Sequence, residues 1–217
     1  MKQNVFIVLA SESPRRKELL KQAGLDFKVI TSNIDENTVY SEPDRIVMDL
    51  SEMKCRAVAD KLSESYNEIK KIPEGYDKIL IVAADTIVSR GGVSLGKPKN
   101  KEDAHLILRR LSGRTHEVYT GVSCVLLSRG EDKKIKETDS FGFFSETKVK
   151  MYRFSEDEIK DYIATGEPLD KAGAYGIQGI GERLVEYIKG DYNNVVGFPL
   201  SKFMKELAER EYISYKN

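Results

Sequence analysis

No apolar run in this 217-residue chain approaches the roughly 20 residues that a membrane-spanning helix needs. The run that follows Met1-Lys2-Gln3-Asn4 is six residues long, Val5 to Ala10. A signal-peptide core needs about 7–15, so a secreted product is not expected. Cysteine is scarce: Cys55 and Cys124 lie far apart with no metal-ligand spacing, which points to a reduced cytoplasm and two buried spectators. Net charge is absent too, because 35 Lys and Arg balance 35 Asp and Glu. That balance argues against bulk binding of nucleic acid through a basic face. There is no Gly-x-x-x-x-Gly-Lys-Ser/Thr phosphate loop, no Gly-x-Gly-x-x-Gly fingerprint and no His-Glu-x-x-His. Any nucleotide would be held by scattered Arg, Lys and acidic groups. Internal repeats and low-complexity segments are lacking as well.

What is present centres on residues 79–98. The run Ile79 to Ala84 reads as a buried strand ending on an acid, Asp85. Open α/β sheets place ligand sites just beyond strand ends, so this carboxylate can hold a metal ion or take a proton. A hairpin is expected around Gly91-Gly92, after which Gly96-Lys97-Pro98 brings Lys97 as a positive charge for a phosphate.

Upstream, the strand Val5–Ala10 runs into Ser11-Glu12-Ser13-Pro14-Arg15-Arg16. Ser13 is a natural N-cap, Pro14 a natural first helical residue, and Gly24 a natural stop. Arg15 and Arg16 then sit in a first turn where the helix dipole favours anions, which makes sense if an anion binds there. A strand from Phe27 to Thr31 leads to a polar loop bearing Asp35 and Glu36. From about Asp44 to Lys71 an amphipathic helix is expected, its stripe being Ile46, Leu50, Met53, Ala57, Val58 and Leu62. Lys54 is one residue off that stripe, pointing toward a site or into water. Ser63 to Lys78 reads as a helix tail and connector.

Downstream, Lys101–Leu111 is a helix with Ala104, Ile107, Leu108 and Leu111 inward, followed by a long strand to about Leu127. His116 at that strand's start is expected to be a hydrogen-bonded structural group rather than a base. Glu131-Asp132-Lys133 reads as a hairpin-like break, and Thr138–Tyr152 alternates as a strand long enough to bridge two lobes. Ser155 and Glu158 form a capping box for a helix that Gly166 stops. No packing rule explains the next segment, Glu167 to Gly179, whose glycines let backbone approach a ligand. Within it Gln178 offers a donor and an acceptor suited to a base edge. The last helix, about Pro199 to Glu209, is expected to close the fold.

Six segments occur in one order: Leu-Ala-Ser-x-Ser-Pro-Arg-Arg-x-Glu-Leu-Leu, Ala-Asp-Thr-Ile-Val, Gly-Lys-Pro, Leu-Ser-Gly-x-Thr-His, Leu-Asp-Lys-Ala-Gly-Ala-Tyr-Gly-Ile-Gln-Gly and Val-Val-Gly-x-Pro-Leu. Together they resemble the Maf family of nucleoside triphosphate pyrophosphatases, from about Val5 to Leu207. The resemblance implies one domain over residues 1–217, an elongated α/β structure with a mixed sheet flanked by helices. Its two lobes would share the sheet around a central cleft, as in the related inosine triphosphatase fold. It implies hydrolysis of nucleoside triphosphates to monophosphate and pyrophosphate with a divalent cation, Mg²⁺ or Mn²⁺, and a link to arrest of septum formation and cell division. Arg15, Thr86 and Gln178 match the branch acting on dTTP and UTP; the sister branch acts on 7-methyl-GTP. The Ser63–Lys78 connector and the Ser89–Leu95 turn look longer than is usual in the family.

The resemblance also assigns roles. Asp85 is the proton acceptor for the attacking water or a metal ligand, with its pKa lowered beside a metal and Lys97; Glu36 is the second metal ligand. Arg15, Arg16, Lys54 and Lys97 offset phosphate charge, and Ser11 and Ser13 hydrogen-bond phosphate oxygens. At an effective dielectric of about 20, one charge pair at 4 Å is worth roughly 4 kcal/mol before desolvation, so gathering these cations is favourable only with the ligand bound. The expected partner is a nucleotide, with no nucleic-acid polymer and no membrane; a homodimer is left open. The alternatives are a nucleotide-sensing regulator of septum formation without turnover and a 7-methyl-GTP-preferring pyrophosphatase.

Overall fold

In the computed structural model, which describes residues 1–31, 33–64, 73, 75–129 and 135–215, three long strands form the spine of the molecule. They are β4 (Lys78–Arg90), β6 (Thr115–Arg129) and β7 (Ile135–Met151). Ahead of them come β1 (Lys2–Gln3), β2 (Phe6–Leu9), α1 (Pro14–Gln22), β3 (Phe27–Val29) and α2 (Pro43–Glu64). The strand β5 (Val93–Leu95) and helix α3 (Lys101–Leu111) separate β4 from β6. After β7 follow α4 (Glu156–Ala164), three short 3-10 turns between Glu167 and Leu184, β8 (Val185–Lys189), α5 (Tyr192–Val196), α6 (Leu200–Glu209) and β9 (Ile213–Ser214).

The sheet order is β3-β2-β4-β6-β7-β8, with β5 paired to β4. The strand β2 runs parallel to β3 and β4, whereas the pairs β4–β6, β6–β7 and β7–β8 are antiparallel. The sheet is therefore mixed and flanked by helices, as expected. On one face α2 packs Cys55, Val58, Ala59 and Leu62 against Val8, Ile81, Ala83 and Val125. On the other, Leu19 and Leu20 of α1 and Phe203 and Leu207 of α6 join Ile7, Leu9, Leu80 and Val82. A third cluster joins α3 and α4 to the far ends of β4, β6 and β7 through Leu108, Ile159, Val118 and Met151.

Local expectations hold where the signal is a cap or a turn. The Ser13 hydroxyl accepts from the Arg16 N–H with Pro14 behind it, and Ser155 with Glu158 completes the capping box. Gly91 and Gly92 both take positive φ between β4 and β5, the backbone that a tight hairpin requires. The inward residues of α3 are Ala104, Ile107, Leu108 and Leu111.

Three expectations change. The strand does not end at Asp85: β4 continues to Arg90 because β6 pairs with it from Lys78↔Ser128 to Ser89↔Glu117 and β5 from Val88↔Leu95 to Arg90↔Val93. The buried face of α2 is Val47, Leu50, Ser51, Cys55, Val58, Ala59 and Leu62, with Ile46, Met53 and Ala57 only half-buried. Its register is set by close approach, since a Cβ on Gly121 of β6 would lie 2.4 Å from the Val47 carbonyl oxygen. The polar Ser51 enters this face because its hydroxyl meets that of Ser123 at 2.8 Å. The helix α6 does not close the fold, as the chain returns in β9 to pair antiparallel with β1. The expected break at 131–133 and the tail at 65–72 lie outside the described residues. Both cysteines are buried and free, and burial raises both thiol pKa values, that of Cys55 to about 12.

Candidate active site

The strand β2 pairs with β4 only as far as Leu9↔Val82. Three residues further along β4, Asp85 has passed the end of β2, where the chain turns away through Ser11 into α1. This overhang, rather than an end of β4, opens the sheet. A cleft of about 760 Å³ lies there. Every residue expected to act lines it: Ser11, Ser13, Arg15, Arg16, Glu36, Lys54, Asp85, Thr86, Lys97 and Gln178.

On the cleft floor the Lys54 ammonium lies 2.7 Å from Asp85 Oδ1 and 2.7 Å from Glu36 Oε2. Lys54 reaches there because the close seat on Gly121 lets the following turns of α2 cross β4. Asp85 is almost wholly buried, whereas the Glu36 side chain is half exposed on its loop. The expected neighbour of Asp85 was Lys97; the partner is Lys54, and Lys97 stands exposed at the cleft rim. The nearer ammonium wins because α2 delivers it over the floor, while Lys97 follows β5 outward.

Arg16 is less a loose cation than a clamp. Its Nε donates to the Gly197 carbonyl (2.9 Å), Nη1 to Ser11 Oγ (3.0 Å) and Nη2 to Thr86 Oγ1 (3.1 Å). Burial lowers its pKa from the usual arginine value, while Asp85 acts to raise it. The bonds continue inward: Thr120 donates its only hydroxyl proton to the Asn194 carbonyl at 3.0 Å, so the Thr86 hydroxyl gives its own to Thr120 at 3.0 Å or to the Gly197 carbonyl at 3.4 Å. Thr86 therefore offers a ligand an acceptor and no donor. The Ser11 hydroxyl accepts from Arg16 and from the Ser13 N–H, which leaves its proton for an acceptor such as a phosphate oxygen.

Across the cleft, Arg15 lies 3.9 Å from Asp170, and the Lys171 ammonium sits 2.7 Å from Asp170 Oδ1. Glu12, Asp170 and Lys171 also line the cleft and went unassigned from the sequence. The glycine-rich segment that carries the last two was itself the available signal. The cations of the cleft are thus largely compensated within the protein. His116 is structural as expected: it is fully buried, its Nε2 is 2.8 Å from the Tyr175 hydroxyl, and burial takes its pKa down to about 4.

As a cation site, Asp85 and Glu36 present two carboxylates already converging on one positive charge. That all-oxygen pair suits Mg²⁺ or Mn²⁺, which complete their shells with water and phosphate oxygens. Among the described residues no three His, Cys, Asp or Glu side chains gather to hold a metal ion.

A family model described as Maf-like protein matches residues 6–210. A protein of Thermoanaerobacter sp. (strain X514) named dTTP/UTP pyrophosphatase is 45% identical over 206 residues, spanning 95% of this chain and 96% of its own. One of the same name from Agathobacter rectalis is 45% identical over 203 residues, 94% of this chain and 96% of its own. Another from Bacillus anthracis is 44% identical over 204 residues, 94% of both chains.

Proposed function

The chain belongs to the Maf family, and on that premise we propose that it hydrolyses dTTP and UTP to the nucleoside monophosphate and pyrophosphate within this cleft. The observation that carries the reading is Asp85, buried on the floor beyond the end of β2 with a lysine on one carboxylate oxygen. Its other oxygen has no partner among the described residues and is the proton acceptor for the attacking water. Water attacks the α-phosphorus, the bond to the bridging oxygen breaks, and pyrophosphate leaves.

Around the triphosphate, Arg15, Lys54 and Lys97 offset charge, and Ser11 and Ser13 donate to phosphate oxygens. Arg16 contributes mainly by holding Ser11 and Thr86 in place. Mg²⁺ or Mn²⁺ held by Asp85 and Glu36 would supply further charge neutralisation and a more acidic water. Gln178, exposed on the opposite wall, faces the base together with Arg15 and Thr86. The uracil and thymine N3–H suits the acceptor that Thr86 offers. The same reading takes residues 1–217 as one domain with two lobes and puts its work in the cytoplasm, where free nucleotides are; no helix among the described residues is long and apolar enough to cross a membrane.

The test is pyrophosphate release from dTTP, UTP, CTP, dGTP and 7-methyl-GTP with Mg²⁺ or Mn²⁺, for the native protein and Asp85→Asn. Release from dTTP and UTP that falls by about 10²–10⁴-fold in the variant supports the reading. Preference for 7-methyl-GTP keeps the chemistry and overturns the roles of Arg15, Thr86 and Gln178. Nucleotide binding without release indicates a sensor instead.

A further inference from the structure

Gln178 stands on a turn whose two ends are fastened to a single pair of side chains behind the cleft wall. The Tyr162 hydroxyl donates to Glu167 Oε1 at 2.9 Å and accepts the Gly176 N–H at 3.1 Å. The same carboxylate accepts the Gly181 N–H on Oε1 (3.1 Å) and the Ile180 N–H on Oε2 (3.0 Å). Backbone on both sides of Gln178 is thereby tied to one Tyr–Glu pair, while Ile177 is buried and Gln178 stands out into the cleft.

The geometry leaves little slack. A Cβ on Gly181 would lie 2.4 Å from both the Gly176 carbonyl oxygen and the Tyr162 hydroxyl. Tyr162 is fully buried, and its hydroxyl spends its proton on Glu167. Burial works to raise the Glu167 pKa, but its hydrogen bonds to Tyr162, Ile180 and Gly181 hold it below the ordinary carboxylate value. The charged acceptor strengthens the bonds it takes. Neither Tyr162 nor Glu167 lines the cleft, so neither can touch a nucleotide there.

We propose that Tyr162 and Glu167 are positioning residues for base selection, setting where Gln178 meets the pyrimidine edge by cinching residues 176–181. This rests on the reading of the cleft as a nucleoside triphosphate site. A side-chain amide reads a base edge only when its donor and acceptor sit within a few tenths of an ångström of their partners. Small displacements of a positioning element are known to cost up to about 10²-fold.

The experiment compares UTP with CTP, which differ at N3 and at the exocyclic group of C4. Steady-state kcat and KM for pyrophosphate release and thermal melting are measured for the native protein, Tyr162→Phe, Glu167→Gln, Gln178→Ala and the double variant Glu167→Gln/Gln178→Ala. The UTP-to-CTP ratio of kcat/KM is expected to fall roughly ten-fold in Tyr162→Phe and Glu167→Gln, mainly through a higher KM for UTP. In the double variant the ratio should fall no lower than in Gln178→Ala alone, because the clamp acts through that residue. Equal losses on both nucleotides, or a lowered melting point with the ratio intact, overturn the proposal in favour of a merely structural clamp. A native ratio near one overturns it too. A native protein that releases no pyrophosphate overturns the site reading and this inference together, whereas an active one with an unchanged ratio in the variants overturns this inference alone.

Discussion

The Lys54 ammonium lies 2.7 Å from the Asp85 carboxylate and is shared with Glu36 at the same distance. A cation that binds these two acids must therefore displace a lysine already there. Lys54→Met is expected to tighten Mn²⁺ binding to the nucleotide-free protein, measured by calorimetry. The same variant should lower kcat/KM for UTP by about 10²-fold, because the lysine's charge is then missing beside the triphosphate. Weaker Mn²⁺ binding in the variant would mean that Lys54 organises the acids instead of competing for them.

Arg16 bonds three separate segments through Gly197, Ser11 and Thr86. A lysine cannot span that fork. Arg16→Lys should cost about 2–3 kcal/mol, read as a lower urea midpoint with an unchanged m-value, since partners are left short of hydrogen bonds. A shift below about 0.5 kcal/mol would mean that the clamp contributes nothing net to folding.

Gly121→Ala places a methyl group 2.4 Å from the Val47 carbonyl oxygen, against backbone rather than a yielding side chain. The helix α2 must lift, at about 1–3 kcal/mol, and Lys54 must move with it. Reduced stability together with reduced pyrophosphate release is expected. Stability lost with kcat unchanged would separate the helix seat from the site.

His116 has a pKa of about 4 in the folded chain, against 6.5 when unperturbed, owing first to burial and then to Arg90. Between those values the unfolded chain binds more protons, so stability falls as the pH drops from about 6.5 to about 4. The full penalty is roughly 3 kcal/mol. Urea unfolding of His116→Gln beside the native protein should show that slope reduced across this window. Parallel pH profiles would mean that His116 titrates normally.

Much of this was legible in the chain. Caps and turns depend on neighbours in sequence, so Ser13-Pro14, Gly91-Gly92 and the Ser155–Glu158 box were predicted and are found. The stripe of α3 likewise follows from period alone, because one side of that helix meets one apolar cluster. The stripe of α2 was misjudged because polar Ser51 and the close contact at Gly121 turn the helix, and neither is encoded in hydrophobic period. The strand's extension past Asp85 was missed for a related reason. The ladder there is continued by β6, whose Gly121 lies 36 positions from its partner Asp85, and from Val88 onward also by β5.

Residue identity by itself determined which groups carry charge and which turns are tight, and the sequence motifs singled out ten side chains as candidates for one site. Those ten do line one cleft. Tertiary structure alone decided who faces whom: that Asp85 is partnered by Lys54 and not Lys97, and that Arg16 spends its donors on Ser11, Thr86 and Gly197. It also decided that Gln178 is held through Tyr162 and Glu167. The physical reason is range. Capping and period act over a few residues, whereas an ion pair between positions 54 and 85 forms only after α2 has seated on the sheet.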